Sequence, residues 1–174
     1  MNFRRSIVSI ALSAALVGST SYGQANQEQR VFNAESSTVT NPVAVPPEML
    51  KLLSLDEDVK QAAEDQDGPS KAVPKEWFSA SLVSMARPTE KLYLLVGNGP
   101  LVGAHVTTFW LLRKGPAGTS PSVLLKVTAD QLEIGKPDSS GYPKITAVRL
   151  TATTMRDTIY RFLAGKYVLV HPSK

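Results

Sequence analysis

The 174-residue chain contains no cysteine at all and only two histidines, His105 and His171. Without cysteine there is no disulfide to staple a fold, no thiolate nucleophile and no thiolate metal ligand, so packing must supply the stability. Two histidines far apart in sequence, with no third ligand of known proximity, do not make a zinc site, and no metal or other cofactor is expected. Long apolar runs are also missing. The longest, from Ile7 to Val17, spans about eleven residues, against about twenty for a spanning helix, so no transmembrane anchor is expected.

That run has the marks of an export signal. Arg4 and Arg5 precede it, and small residues follow at Gly18, Ser19, Ser21 and Gly23. Cleavage after Gly23 or after Ala25 fits, and the released chain is then periplasmic or extracellular. Adjacent arginines also occur in the twin-arginine route for folded cargo. An ordinary basic leader fits the looser surrounding pattern better.

Charge of one sign is scarce once the leader is set aside. The formal net charge of +4 falls to +2 without Arg4 and Arg5, too little to argue for nucleic acid. The distribution says more: residues 26–70 hold 9 acidic and 3 basic side chains, and residues 71–174 hold 6 acidic and 14 basic. Either the acidic segment lies on the basic part of its own chain, or a basic face meets an acidic partner such as an envelope polymer or another protein.

Residues 24–45 are polar and read as a flexible lead before a single domain over residues 46–170. In "PPEMLKLLSLDEDVKQAAEDQDG", Pro47 suits a first helical turn, and Ser54 with Glu57 matches a capping box. Leu52, Leu55, Val59 and Ala62 recur at helical spacing. One bent helix or two short ones are predicted, ending near Asp65, with Asp56, Glu57 and Asp58 on a solvated face. From Trp77 onward, short β-branched and aromatic runs alternate with Gly, Pro, Asp and Ser turns. The predicted class is α+β: a helical segment packed on an antiparallel, curved sheet or partial barrel of six or seven strands. Ala164-Gly165 is expected to be a tight hairpin turn.

The stretch "GNGPLVGAHVTTFWLLRK" invites a phosphate-loop reading, which the residues refuse. Gly103 is followed by Ala104 and His105 instead of the lysine and hydroxyl such a loop needs, and a strand-like run follows where a helix should start. The glycines are therefore assigned to loop geometry. Together with "SSGYPKI" and "YRFLAGKYVLV", the passage "LYLLVGNGPLVGAHVTTFWLLRK" resembles a widespread group of small uncharacterised exported bacterial proteins. That group carries a G-x-G-x-x-x-G-A turn, a G-Y-P turn and a closing Y-x-F-x-G-x-x-Y hairpin. The chain departs from it at His105-Val106, where polar or cysteine residues are usual, and at Lys144, where an acid is usual. The resemblance implies an exported β-rich domain and carries no activity.

No nucleophile elbow surrounds any serine, and Ser139 and Ser140 read as turn residues. Of the acids beyond Trp77's neighbour Glu76, namely Glu90, Asp130, Glu133, Asp138 and Asp157, most stand in or beside predicted turns, which argues for solvation over a catalytic pair. Phe109, Trp110, Tyr160, Phe162 and Tyr167 sit among apolar neighbours and read as core before they read as a sugar-stacking platform. No residue is assigned a catalytic role. The expectation is a non-enzymatic exported binding module with loop residues Asn98, His105, Tyr142 and Lys144 as ligand-contacting candidates. Two other classes stay open: a small envelope hydrolase using His105 as general base, and a structural subunit associating through a sheet edge.

Overall fold

The computed structural model describes residues 30–36, 39–67 and 73–170; the expected export signal and His171 lie outside them. No helix among these residues is long and apolar enough to cross a membrane. Nine strands form two antiparallel sheets. One has the order β1-β6-β7-β8-β9, with β1 Val31–Asn33, β6 Gln131–Pro137, β7 Pro143–Leu150, β8 Met155–Leu163 and β9 Lys166–Val170. The other has the order β2-β3-β4-β5, with β2 Phe78–Val83, β3 Lys91–Gly97, β4 Thr107–Lys114 and β5 Ser122–Ala129. The fold is thus β-rich, but the single curved sheet or partial barrel is corrected to two open sheets. The chain leaves one sheet at Ala129 and enters the other at Gln131, with Asp130 alone as the corner.

Side-chain alternation explains why β3 and β4 are apolar nearly throughout. In a strand, successive side chains point to opposite faces. Leu92, Leu94, Val96, Phe109 and Leu111 join one buried cluster with Phe32, Leu132, Ile145 and Tyr167 of the five-stranded sheet. Their neighbours Tyr93, Leu95, Trp110 and Leu112 join a second cluster with Met49, Leu53, Val59 and Ala62 of the two helices. Strands covered on both faces lose the polar-apolar alternation of half-buried ones.

The helices are α1, Pro47–Leu53, and α2, Glu57–Asp67. The Ser54 capping box is corrected. The Ser54 hydroxyl donates back to the Lys51 carbonyl, and Asp56 caps α2 by accepting from the Asp58 N–H at 3.0 Å. Leu55 is exposed in the link between the helices, outside the apolar stripe it was read into. Nor does Asp56 sit on a solvated face. Its carboxylate accepts from Trp110 Nε1 at 3.2 Å and from Lys126 Nζ at 2.7 Å. Lys126 also reaches Asp58 at 2.8 Å, and Lys114 pairs with Glu48. The acidic segment therefore lies on the basic part of its own chain.

The segment read as a flexible lead supplies β1 and an isolated bridge from Val43 to Ala80. The physical reason is Phe32, 2% exposed, an aromatic anchor whose burial offsets the ordering of its polar neighbours. The last predicted strand window divides at the expected turn: Leu163 pairs with Lys166, and Ala164 and Gly165 take φ of 50° and 89°. Positive φ at both central residues matches the right-handed strand twist of a two-residue hairpin.

If both faces of β3 are covered, Leu94→Ala and Leu95→Ala, one in each cluster, will each lower the unfolding free energy by roughly 2–5 kcal/mol in urea titrations. A cost near zero for either would show that its face is open. A second expectation follows from Asp56. Burial opposes its ionisation, but the bonds from Lys126 and Trp110 outweigh burial and hold the carboxyl below its ordinary value. A lowered folded-state value contributes stability above the unfolded value and loses it as pH falls through the folded one. Asp56→Ala will cost about 1–3 kcal/mol at neutral pH, and the gap to the native chain will narrow on acidification below the ordinary carboxylate range.

Candidate functional site

The loop between β3 and β4 begins at Gly97, where the backbone is crowded. A Cβ there would stand 2.9 Å from Leu101 Cβ and 3.0 Å from Thr107 Oγ1. The Thr107 hydroxyl donates to the Gly97 carbonyl at 2.7 Å, and the Gly103 N–H donates to Val106 at 2.7 Å. The segment contains only a three-residue 3₁₀ turn, Gly99–Leu101, before β4 begins. No helix N-terminus faces the glycines, so they serve the loop, as the residue pattern implied.

Asn98 is held internally, its side-chain amide 2.8 Å from the Ser79 hydroxyl at the start of β2. His105 projects from the loop, 76% exposed, and its Nδ1 is 3.7 Å from an oxygen of Glu35, itself 82% exposed. These two residues line an open cleft of about 410 Å³ with Asn33, Asp130, Gln131 and Leu150. A second cleft, of about 300 Å³, lies on the other side of the same pair against Gly99, Val102 and Gly103.

Asp130 is the buried member of this group, at 8% exposure. Its carboxylate accepts the Leu150 N–H at 2.9 Å and faces Arg149 Nε at 3.7 Å. Its backbone bonds to Val148 and to Ala34, so one residue ties the corner to β7 and to the end of β1. Reading the acids beyond Trp77 as solvated missed this. The available signal was the spacing: β5 and β6 are separated by one residue, too few for a hairpin, so the chain must change sheets there.

Tyr142 and Lys144 do not join the cleft. Tyr142 ends the β6–β7 turn and Lys144 lies at the start of β7, where Pro137 opposes Pro143, whereas Gln131 opposes Val148 near the His105 end. The two ends are separated by the length of β7, roughly 20 Å at strand rise. Tyr142 is moreover a core residue with 0% exposure. Its ring stacks on Phe162 at 3.7 Å between centroids, the Arg87 guanidinium lies 5.2 Å over it, and its hydroxyl donates to Glu90. Burial, with the Glu90 bond next, pushes its phenol up from the ordinary value. Lys144 is exposed at that far end. The four candidates are thus divided, with Asn98 and His105 on one loop and Tyr142 and Lys144 across the molecule.

Among these five aromatics, Phe109, Trp110 and Tyr167 are buried, and the partly buried Tyr160 and Phe162 pack against the first cluster, so they serve the core. Ser140 caps its turn, taking Asp138 Oδ1 through both its N–H and its hydroxyl. Among the described residues no group of three or more His, Asp or Glu side chains is placed to hold a metal ion.

Asp130→Ala will cost about 1–3 kcal/mol in chemical denaturation, because it strips the Leu150 N–H of its acceptor and Arg149 of its counter-ion, while His105→Ala will change stability by less than about 0.5 kcal/mol. The reverse ranking would remove Asp130 as the organiser of this end. Comparison with protein-family models, with curated proteins and with solved structures finds no match for the chain.

Proposed function

We propose that the protein is a non-enzymatic binding module, acting in the periplasm or outside the cell, that receives its partner at the His105 end of the two sheets. The observation that carries this reading is the 410 Å³ cleft, where exposed His105 and Glu35 flank a fixed corner built on buried Asp130. Polar groups displayed on loops at the end of a rigid β scaffold are a common seat of recognition. Such a cleft offers an imidazole and carboxylates as hydrogen-bonding groups with a short apolar contact at Leu150.

The hydrolase reading draws less support from the same geometry. A general base needs to be oriented by a neighbour and placed within hydrogen-bond reach of the proton it takes. Glu35 is 3.7 Å from His105, beyond a hydrogen bond, and both side chains are mostly in solvent. Association through a sheet edge has one feature in its favour: β9 ends its sheet and leaves Leu169 half-exposed.

Affinity capture from an envelope extract separates the three. The native chain is expected to retain a discrete species that a Glu35→Ala/His105→Ala double variant releases. Turnover of a cell-wall substrate that disappears in His105→Ala would replace binding by hydrolysis. A sedimentation coefficient that rises with concentration, unchanged in the double variant, would place function at the edge strand instead.

A further inference from the structure

A second polar feature stands at the same end of the molecule, on residues that the His105 cleft does not use. In the β7–β8 hairpin, Arg149 is the direct cross-strand partner of Arg156. Their Cβ atoms are then roughly 5 Å apart, and like charges directly opposite one another destabilise a sheet. Arg149 is partly compensated. It faces Asp130 at 3.7 Å and donates from Nη1 to the Thr128 carbonyl at 3.2 Å. Arg156 has no side-chain hydrogen bond or ion pair among the described residues. Its neighbour Asp157 gives no relief, because adjacent strand residues point to opposite faces.

Arg149, Thr151, Thr154 and Arg156 line a cleft of about 370 Å³. The two threonines close the hairpin. The Thr154 N–H donates to Thr151 Oγ1 at 3.0 Å, and the two hydroxyls meet at 2.7 Å. Either hydroxyl can donate in that contact. When Thr151 donates to the Thr154 hydroxyl instead of to the Thr154 carbonyl at 3.1 Å, the Thr154 hydroxyl hydrogen is free for a ligand.

The geometry points to a binding site for a tetrahedral oxyanion, a phosphate or sulfate group, held between Arg149 and Arg156 over the Thr151–Thr154 turn. Two arginine side chains and two threonines border the cleft from both strands and the turn. That is more directions than one planar carboxylate presents, and it suits an acceptor with oxygens on all sides. An anion there also removes the repulsion of the opposed arginines, which Asp130 offsets on one side only. The site stands independently of the His105 reading, since loss of either leaves the other intact.

The test is titration of the purified full chain with inorganic phosphate and with sulfate, followed by calorimetry or by NMR shifts of the hairpin amides, with acetate and chloride as controls. Saturable binding of phosphate or sulfate is expected, with acetate and chloride weaker. Arg156→Gln is expected to weaken it about tenfold or more, Arg156→Lys by less, and His105→Ala not at all. The Arg156 side chain carries no internal bond, so Arg156→Lys should unfold at the native temperature and Arg156→Gln at or slightly above it, and that measurement is made alongside. A phosphomonoester that binds more tightly than inorganic phosphate would identify the group as the end of a larger ligand; equal affinity would identify the free anion. No saturable binding, equal binding of all four anions, or unchanged affinity in Arg156→Gln would overturn the assignment.

Discussion

Burial of both faces of β3 and β4 is the constraint on which the remainder of the structure depends. A strand with Leu92, Leu94 and Val96 on one side and Tyr93 and Leu95 on the other cannot leave either side in water without exposing several large apolar side chains. Each face therefore recruits a cover. One is the sheet that begins with β1 and β6; the other comprises α1 and α2. A cysteine-free chain of this size has no other staple, so the two buried clusters together take the role that disulfides fill in many exported domains.

The charge pattern follows from the same arrangement. Helices rich in Asp and Glu cover a sheet whose strands β4 and β5 carry Lys114 and Lys126, and the pairs Glu48–Lys114, Asp56–Lys126 and Asp58–Lys126 form where the two meet. The pairs Glu48–Lys114 and Asp58–Lys126, which reach solvent, contribute little each. The Trp110–Asp56 bond differs because it satisfies the indole N–H of a fully buried ring. With those lysines engaged, the basic residues of the other sheet have few acidic neighbours. Residues 131–170 hold six basic and three acidic side chains, among them Arg149 and Arg156.

Features set by short-range chemistry were legible before the structure. Each predicted strand window holds a strand, and the Ala164-Gly165 turn divides the last of them into β8 and β9. Features set by contacts distant in sequence were not. β1 is three residues long, and its order comes from Phe32 entering a cluster whose other buried members run from Val83 to Tyr167. Ser54 and Asp56 are both competent caps, and Asp56 prevails because Trp110 and Lys126 hold its carboxylate at the helix start. Tyr142 looked available because a G-Y-P turn is normally solvated; Phe162 and Arg87 enclose it from elements on either side of it in the chain. The opposed arginines depend on where the turn falls: a turn over residues 154–157 leaves Arg156 in a loop, but the observed turn comes earlier. In "RLTATTMR" they are placed symmetrically about the turn, and a hairpin centred on Ala152 and Thr153 must bring them face to face.

Asp130 connects the scaffold to its polar end. A one-residue passage between sheets leaves no room for a solvated turn, so the corner residue must satisfy the backbone around it from inside the protein. A carboxylate does so through Leu150, and having been buried it needs a cation, which Arg149 supplies. The register of β7 against β8 then sets Arg156 opposite an arginine whose counter-ion is already engaged. An uncompensated guanidinium beside two threonine hydroxyls is thus a consequence of how the chain changes sheets. The corner that makes two open sheets out of one polypeptide also leaves positive charge unneutralised beside the His105 cleft.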